Sequence, residues 1–365
     1  MSKYLSVLLT FLFPAAAVAS LDDIRLPPGF TIEVWAEVPK ARSLAFGDEG
    51  TLFVSTRSGS SVYAVVEDEG GSTRSIEIAD DMSSPNGIAF FDGDLYVAEI
   101  SSVYRFPDIE QKLGGEVERE LLDIDLPADR HHGWRYIGFG PDGKLYISIG
   151  APCNICDRPG YAQIVRMNPD GSGRETYASG IRNSVGFTWH PETGDLWFTD
   201  NGRDMLGDDL PPCELNRAAR QGLHFGYPYC HGDDLPDPEF GEGRDCADYT
   251  RPVQQLGPHV APLGVRFYTG TMFPSAYRGQ VFIAEHGSWN RSEKIGYRVT
   301  LVRLEGNEAV SYEPFADGWL QREEYSGRPV DLIVKGDGSL LVSDDYAGRI
   351  YRISYDAGAG GGSDK

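Results

Sequence analysis

The chain is 365 residues long and strongly acidic, with 55 Asp and Glu against 33 Lys and Arg and a formal net charge of −22 at pH 7. That balance argues against a nucleic acid or an anionic membrane as partner, and any anion bound here needs a local gathering of Arg or Lys. Helical periodicity is scarce while Gly is abundant, at 44 residues, which points to an all-β chain with many turns.

Residues 1–20 read MSKYLSVLLTFLFPAAAVAS: a lysine near the start, an apolar stretch broken by Pro14, then small residues. This is the pattern of a secretory signal over 1–19, cleaved after Ala19. The apolar run is too short to favour a spanning helix, and no later segment approaches the roughly 20 apolar residues a span needs. The mature protein is therefore expected in the periplasm or secreted, without membrane insertion.

From residue 44 one pattern recurs six times: an apolar strand, a turn rich in Asp or Gly, and a strand beginning with an apolar-aromatic pair. The copies are LAFGDEGTLFVST (44–56), IAFFDGDLYVAEI (88–100), IGFGPDGKLYISIG (137–150), FTWHPETGDLWFTDNG (187–202), YRGQVFIAEHG (277–287) and LIVKGDGSLLVSDDYAGRIYRI (332–353). Most lie about 45 to 60 residues apart, the spacing of four-stranded blades, so the pattern predicts a six-bladed β-propeller over 20–356. The fourth and fifth copies are farther apart, which predicts a loop insertion between them over roughly 205–258. A Gly-rich tail, 357–365, is expected to be flexible.

Five cysteines stand at 153, 156, 213, 230 and 246. In an exported chain they suggest two local disulfides, Cys153 with Cys156 and Cys230 with Cys246, leaving Cys213 alone. Zinc is the competing reading of CNIC, but no second CxxC or spaced His pair completes a site.

Four polar clusters flank strands of the repeat. The first holds His131, His132 and Arg135; a histidine can take a hydroxyl proton near neutral pH, although a turn histidine bonded to backbone is the plainer use. The second is Arg182 and Asn183, a planar fork beside an amide. The third, from Phe198 to Asn216, carries Asp200, Asn201, Gly202, Asp204, Asp208, Asp209 and Glu214, oxygen donors suited to Ca²⁺ or to a solvated acidic loop. The fourth gathers His259, His286, Trp289, Asn290, Arg291, Lys294, Arg328 and Asp331, basic groups fit for a small polyanion or for surface ion pairs.

In their order along the chain, HHGWRYIGFGPDGKLYISIG, GIRNSVGFTWHPETGDLWFTDNGRD, FGYPYC, APLGVRFYTG, AEHGSWNRS and GRPVDLIVKGDGSLLVSDD resemble the glucose/sorbosone dehydrogenase family, especially its sorbosone branch. The resemblance implies a propeller that holds pyrroloquinoline quinone (PQQ) and Ca²⁺ over its channel and oxidises a sugar, sugar aldehyde or polyol. Counting back eight from Gly140 places the family's catalytic base at His132, while an H-x-G-x-R pattern would match His131 with Arg135. Arg182 would polarise the quinone, with Asn183 and Asn201 beside it, and the carbonyls of Gly202 and Arg203 would bind Ca²⁺. Where the glucose-oxidising branch has two close arginines in the last blade, this chain has Arg328 and then Val330, so Arg291, Lys294 or His286 would complete the anchor. No CxxCH haem motif is present, since Asp157 follows Cys156, and electrons would pass to an external acceptor. A calcium-dependent propeller lactonase or esterase, and a non-catalytic glycan- or protein-binding propeller, are the alternatives from other classes.

Overall fold

The computed structural model describes residues 21–358. The expected signal segment 1–19 and nearly all of the expected tail lie outside them. Among the described residues no helix is long and apolar enough to cross a membrane.

Six antiparallel sheets follow one another around a ring, as the repeats predict. Blade 1 comprises Ala41–Phe46, Leu52–Thr56, Val62–Glu67 and Thr73–Ala79, and blade 2 Gly87–Phe91, Asp94–Ala98, Val103–Phe106 and Glu120–Leu121. Blade 3 comprises Ile137–Phe139, Leu145–Ile149, Gln163–Met167 and Glu175–Ser179; blade 4, Phe187–Trp189, Leu196–Asp200, Cys213–Ala218 and Gln254–Leu256. Blade 5 comprises Pro262–Phe267, Val281–Glu285, Arg298–Glu305 and Glu308–Ala316. Blade 6 combines Pro329–Val334, Leu340–Asp344 and Arg349–Tyr355 with Phe30–Glu37 from the start of the chain, paired antiparallel from Phe30↔Tyr355 to Glu37↔Arg349. One sheet thus ties the two ends of the ring together.

The second strand of each blade explains the repeat. Leu52–Thr56, Leu145–Ile149, Leu196–Asp200, Val281–Glu285 and Leu340–Asp344 are buried at every position. Neighbouring blades cover both faces of each sheet, so each of these strands opens on three consecutive apolar residues instead of alternating. The fourth residue of four of them is Ser or Thr, and three of those hydroxyls stitch blade to blade. Ser55 donates to Asn86 O at 2.6 Å, Thr199 to Leu263 O at 2.6 Å and Ser343 to Arg42 O at 2.5 Å. A buried hydroxyl without a partner would be costly, so these bonds help hold the inner strands in place.

The insertion is narrower than 205–258. Cys213–Ala218 and Gln254–Leu256 are the third and fourth strands of blade 4, and the added chain is 219–253 between them. CELNRA alternates polar side chains and so hides as a loop in sequence. Within the insertion, Leu223–His224 joins blade 3 in parallel beside Ala178 and Ser179, and Cys230–His231 forms a short hairpin with Leu235–Pro236. Both expected disulfides are formed, and Cys213 is a buried free thiol.

Candidate functional site

The entrances of the inner strands of blades 1, 3, 4, 5 and 6 converge on one cavity of about 610 Å³. Its wall brings together His131, His132, Arg182, Asn183, Asn201, Gly202, His286 and Arg328, all expected from the sequence. Arg203, Arg291 and Lys294 are not on that wall. The Arg203 guanidinium turns away to Asp237 at 2.6 Å and Glu239 at 2.9 Å. Arg291 reaches Asp209, Lys294 donates to Glu323 O, and both line an adjoining groove with Trp289 and Arg328.

His132 caps the innermost strand region of blade 3. Its backbone is left-handed, with φ 49°, a conformation that costs about 1–3 kcal/mol outside glycine and persists where the surroundings impose it. Gly150 makes this possible: a Cβ there would lie 2.7 Å from His132 Cβ and 2.9 Å from its carbonyl oxygen. Nδ1 of His132 faces Ala151 O at 2.8 Å. A carbonyl only accepts, so Nδ1 carries the proton and Nε2 keeps its lone pair. Burial, then the charge of Arg182, lowers this imidazole's pKa to about 2, which keeps it neutral. The His131 ring is more exposed and packs 4.1 Å from that of His132.

Arg182 enters from blade 4 and its side chain is 4% exposed. Every N–H of its guanidinium is engaged by protein: Nε by Asn154 O at 2.9 Å, Nη1 by Asn201 O at 3.2 Å and Gly202 O at 2.9 Å, Nη2 by Asn154 Oδ1 at 2.9 Å and Asp204 Oδ2 at 3.2 Å. The fork is therefore spent on the protein, and Arg182 presents the cavity with a fixed charge. Asp200 sets its backbone, accepting from the N–H of Arg182 at 2.8 Å and of Asn183 at 2.6 Å. Asn201 bridges blades 4 and 5 by donating to Asn183 O and Pro262 O.

The opposite wall holds residues that sequence reasoning missed. Arg42 from blade 1 pairs with Asp345 at 2.8 Å, and His286 Nε2 meets the other oxygen of Asp345 at 2.9 Å. Burial raises the pKa of Asp345, but His286 and Arg42 outweigh it and keep the group ionised. Burial pushes His286 down to about 4 despite Asp345. Arg57 lies over the Trp134 ring at 4.4 Å, with its pKa lowered to about 10 by burial and by Arg42. Arg328 donates to the carbonyls of His286 and Gly287. The available signal is positional, because Arg42, Arg135, Arg182 and Arg328 all stand at the entrance of an inner strand.

The wall thus gathers Arg42, Arg57, Arg130, Arg182 and Arg328 with four histidines, against two carboxylates, Asp204 on the wall and Asp345 paired with Arg42 and His286. Such a surface fits a small ligand with several carboxylates, as PQQ has. For a hard cation the fit is partial. Gly202 O accepts one hydrogen bond and has a second lone pair to offer. Among the described residues no three His, Cys, Asp or Glu side chains gather as a metal centre, so a cation here would rest on backbone oxygens and on oxygens its ligand brings.

Comparison with known proteins agrees with this architecture. The chain is 32% identical over 377 residues to an uncharacterised protein of Borreliella burgdorferi, covering 98% of each. It is 23% identical over 383 residues to the pyrroloquinoline quinone-dependent sugar dehydrogenase of Hypocrea jecorina, covering 88% of this chain and 86% of that one. With the pyrroloquinoline quinone-dependent pyranose dehydrogenase of Coprinopsis cinerea it shares 25% identity over 227 residues, 48% of this chain but only 30% of the relative. In structure, the calcium form of the Trichoderma reesei family AA12 enzyme superposes with a TM-score of 0.81 at 21% identity, covering 95% and 99% of the two chains. The holo pyranose dehydrogenase PQQ domain from Coprinopsis cinerea gives 0.75 at 20% identity, covering 91% and 97%. These two structural likenesses establish the fold. The TrAA12-like family model matches residues 24–356, the whole propeller, and the chain belongs to that family.

Proposed function

We propose that this protein is a PQQ-dependent dehydrogenase that oxidises a hydroxyl or hydrated aldehyde of a small sugar or polyol and passes the electrons to a separate acceptor. The observation that carries this reading is the cationic wall: five arginines, with four histidines among them, face one cavity of a chain with net charge −22. Kinship with two quinone-dependent sugar dehydrogenases supports the substrate class.

When bound, the quinone supplies the hydride acceptor. His132, neutral and with Nε2 unprotonated, takes the proton of the substrate hydroxyl. Arg182 holds a fixed positive charge where negative charge develops, a preorganised arrangement that needs no rearrangement during the reaction. Arg42, Arg57, Arg328 and His286 supply the positive and donor groups for the carboxylates. A Ca²⁺ would take the carbonyls of Gly202 and Arg203, with Asp204 as the carboxylate of that wall. Export from the cytoplasm is supported by the two formed disulfides, which persist in oxidising compartments.

The deciding experiment is a spectroscopic titration of metal-stripped protein with PQQ, followed by dye-linked oxidation of aldoses, polyols and sorbosone with quinone and Ca²⁺ added separately and together. Turnover that requires the quinone is expected. Absence of both quinone binding and turnover would overturn the reading.

A further inference from the structure

Arg182 belongs to blade 4, yet blade 3 holds its side chain. Two edges of the guanidinium are gripped by one residue: Nε donates to Asn154 O and Nη2 to Asn154 Oδ1, each at 2.9 Å. A planar fork held this way cannot turn without breaking both bonds. Asn154 is fixed in its own right against Asp204, its Nδ2 donating to Asp204 O at 3.0 Å and its Oδ1 accepting from Asp204 N–H at 2.8 Å. Asp204 completes the triangle through its carboxylate, 3.2 Å from Arg182 Nη2.

The backbone of Asn154 is constrained as well. It lies inside the small ring closed by the Cys153–Cys156 disulfide, and a loop of that size has few conformations open to it. Tyr227 from the insertion docks on the same ring: its buried hydroxyl accepts the Cys156 N–H at 3.0 Å and lies 3.6 Å from Cys153 Sγ.

We propose that Asn154 is the positioning residue for Arg182, and that the disulfide ring and Tyr227 keep Asn154 in place. The inference rests on the reading of Arg182 as the fixed charge beside the quinone. It also explains the residue type. Alanine would leave Arg182 Nη2 with Asp204 alone. Aspartate would lose the bond to Asp204 O and set a second negative charge against Arg182, where the cavity requires positive potential.

The test is a double-mutant cycle on the full-length protein, Asn154→Ala, Arg182→Ala and the pair together, with quinone affinity from absorbance titration, kcat and KM for a sugar, and a crystal structure of Asn154→Ala. If Asn154 acts through Arg182, Asn154→Ala lowers kcat at least about tenfold with the sugar KM within about threefold, shifts the absorption of the bound quinone, and adds nothing in the Arg182→Ala background. Asn154→Asp falls at least as far, and Cys153→Ser/Cys156→Ser reproduces the Asn154→Ala phenotype. Independent, additive losses, or wild-type kinetics in Asn154→Ala, would overturn the proposal. Should the wild-type protein bind no quinone, the functional reading fails, but the crystal structure still decides the clamp: Arg182 unmoved from Asn201 O and Gly202 O in Asn154→Ala refutes it.

Discussion

Nδ1 of His132 and the carbonyl oxygen of Ala151 are 2.8 Å apart, and this one bond sets the His132 ring apart from its neighbour His131. It fixes the tautomer and leaves Nε2 as the acceptor. His131, more exposed, has no such constraint among its described bonds.

Replacement of the two histidines should therefore have unequal effects. His132→Ala is expected to retain quinone binding and lose about 10²- to 10⁴-fold in kcat, the usual worth of a positioned general base. His131→Ala should stay within about tenfold of wild type. Dye-linked steady-state kinetics on both variants settles the assignment, and the reverse ranking would move the base to His131.

The pH profile should carry the same signature. An unperturbed histidine base loses activity as pH falls through about 6.5. His132, with its pKa lowered to about 2, is still unprotonated there, so kcat/KM should show no acid limb centred near 6.5. A limb at that pH that disappears in His132→Gln would contradict the buried neutral imidazole.

Glu214 gives a stability prediction of opposite sense. It is buried, accepts from Gly232 N–H at 2.7 Å and Asn216 Nδ2 at 2.9 Å, and burial with Asp200 nearby pushes its carboxyl up to about 8. The unfolded carboxyl ionises near 4.5, so the folded protein binds more protons between these values and loses stability as pH rises from about 4.5 to 8. Glu214→Gln removes that loss. Asn216 Oδ1, buried and without a partner, could accept from the new amide after a flip of the Asn216 group. The Tm of the variant relative to wild type should rise by about 2 °C or more between pH 5 and pH 9 in differential scanning calorimetry. A pH-independent difference would mean that Glu214 is ionised throughout.

Two arginines of blade 1 should separate binding from folding. Arg42 is 2% exposed and paired with Asp345, so Arg42→Ala leaves a largely buried carboxylate with His286 alone and should cost about 3 kcal/mol of stability as well as quinone affinity. Arg57 rests on Trp134, and Arg57→Ala should weaken quinone binding while costing about 1 kcal/mol or less. Urea unfolding alongside quinone titration tests both. Equal quinone affinity in Arg57→Ala and wild type would remove this residue from the site.

The blades were legible in sequence because their second strands, covered on both faces, carry three or more consecutive apolar residues just after a turn. Cys213–Ala218 was not, since Glu214, Asn216 and Arg217 give it the look of a loop although most of it is buried. The histidine pair, Arg182, Asn183 and the Asn201–Gly202 turn carried recognisable motifs. Arg42 and Arg57 did not: beside an ordinary strand an arginine reads as a surface ion pair, and only closure of the ring brings blade 1 against blade 6. Arg291 and Lys294, near His286 in sequence, are instead drawn to Asp209 and Glu323 of adjoining loops and stay off the wall.

The strand Phe30–Glu37 has one further consequence. Its partner, Arg349–Tyr355, lies more than three hundred residues further along, so the first strand of the propeller has no place to pair until that stretch has been made. Until then its backbone is an open edge, able to pair with a second chain. Loop-closure entropy also puts this pairing late in folding. Sealing of the ring thus depends on this one long-range pairing, and loss of either strand would leave an open propeller prone to join its neighbours.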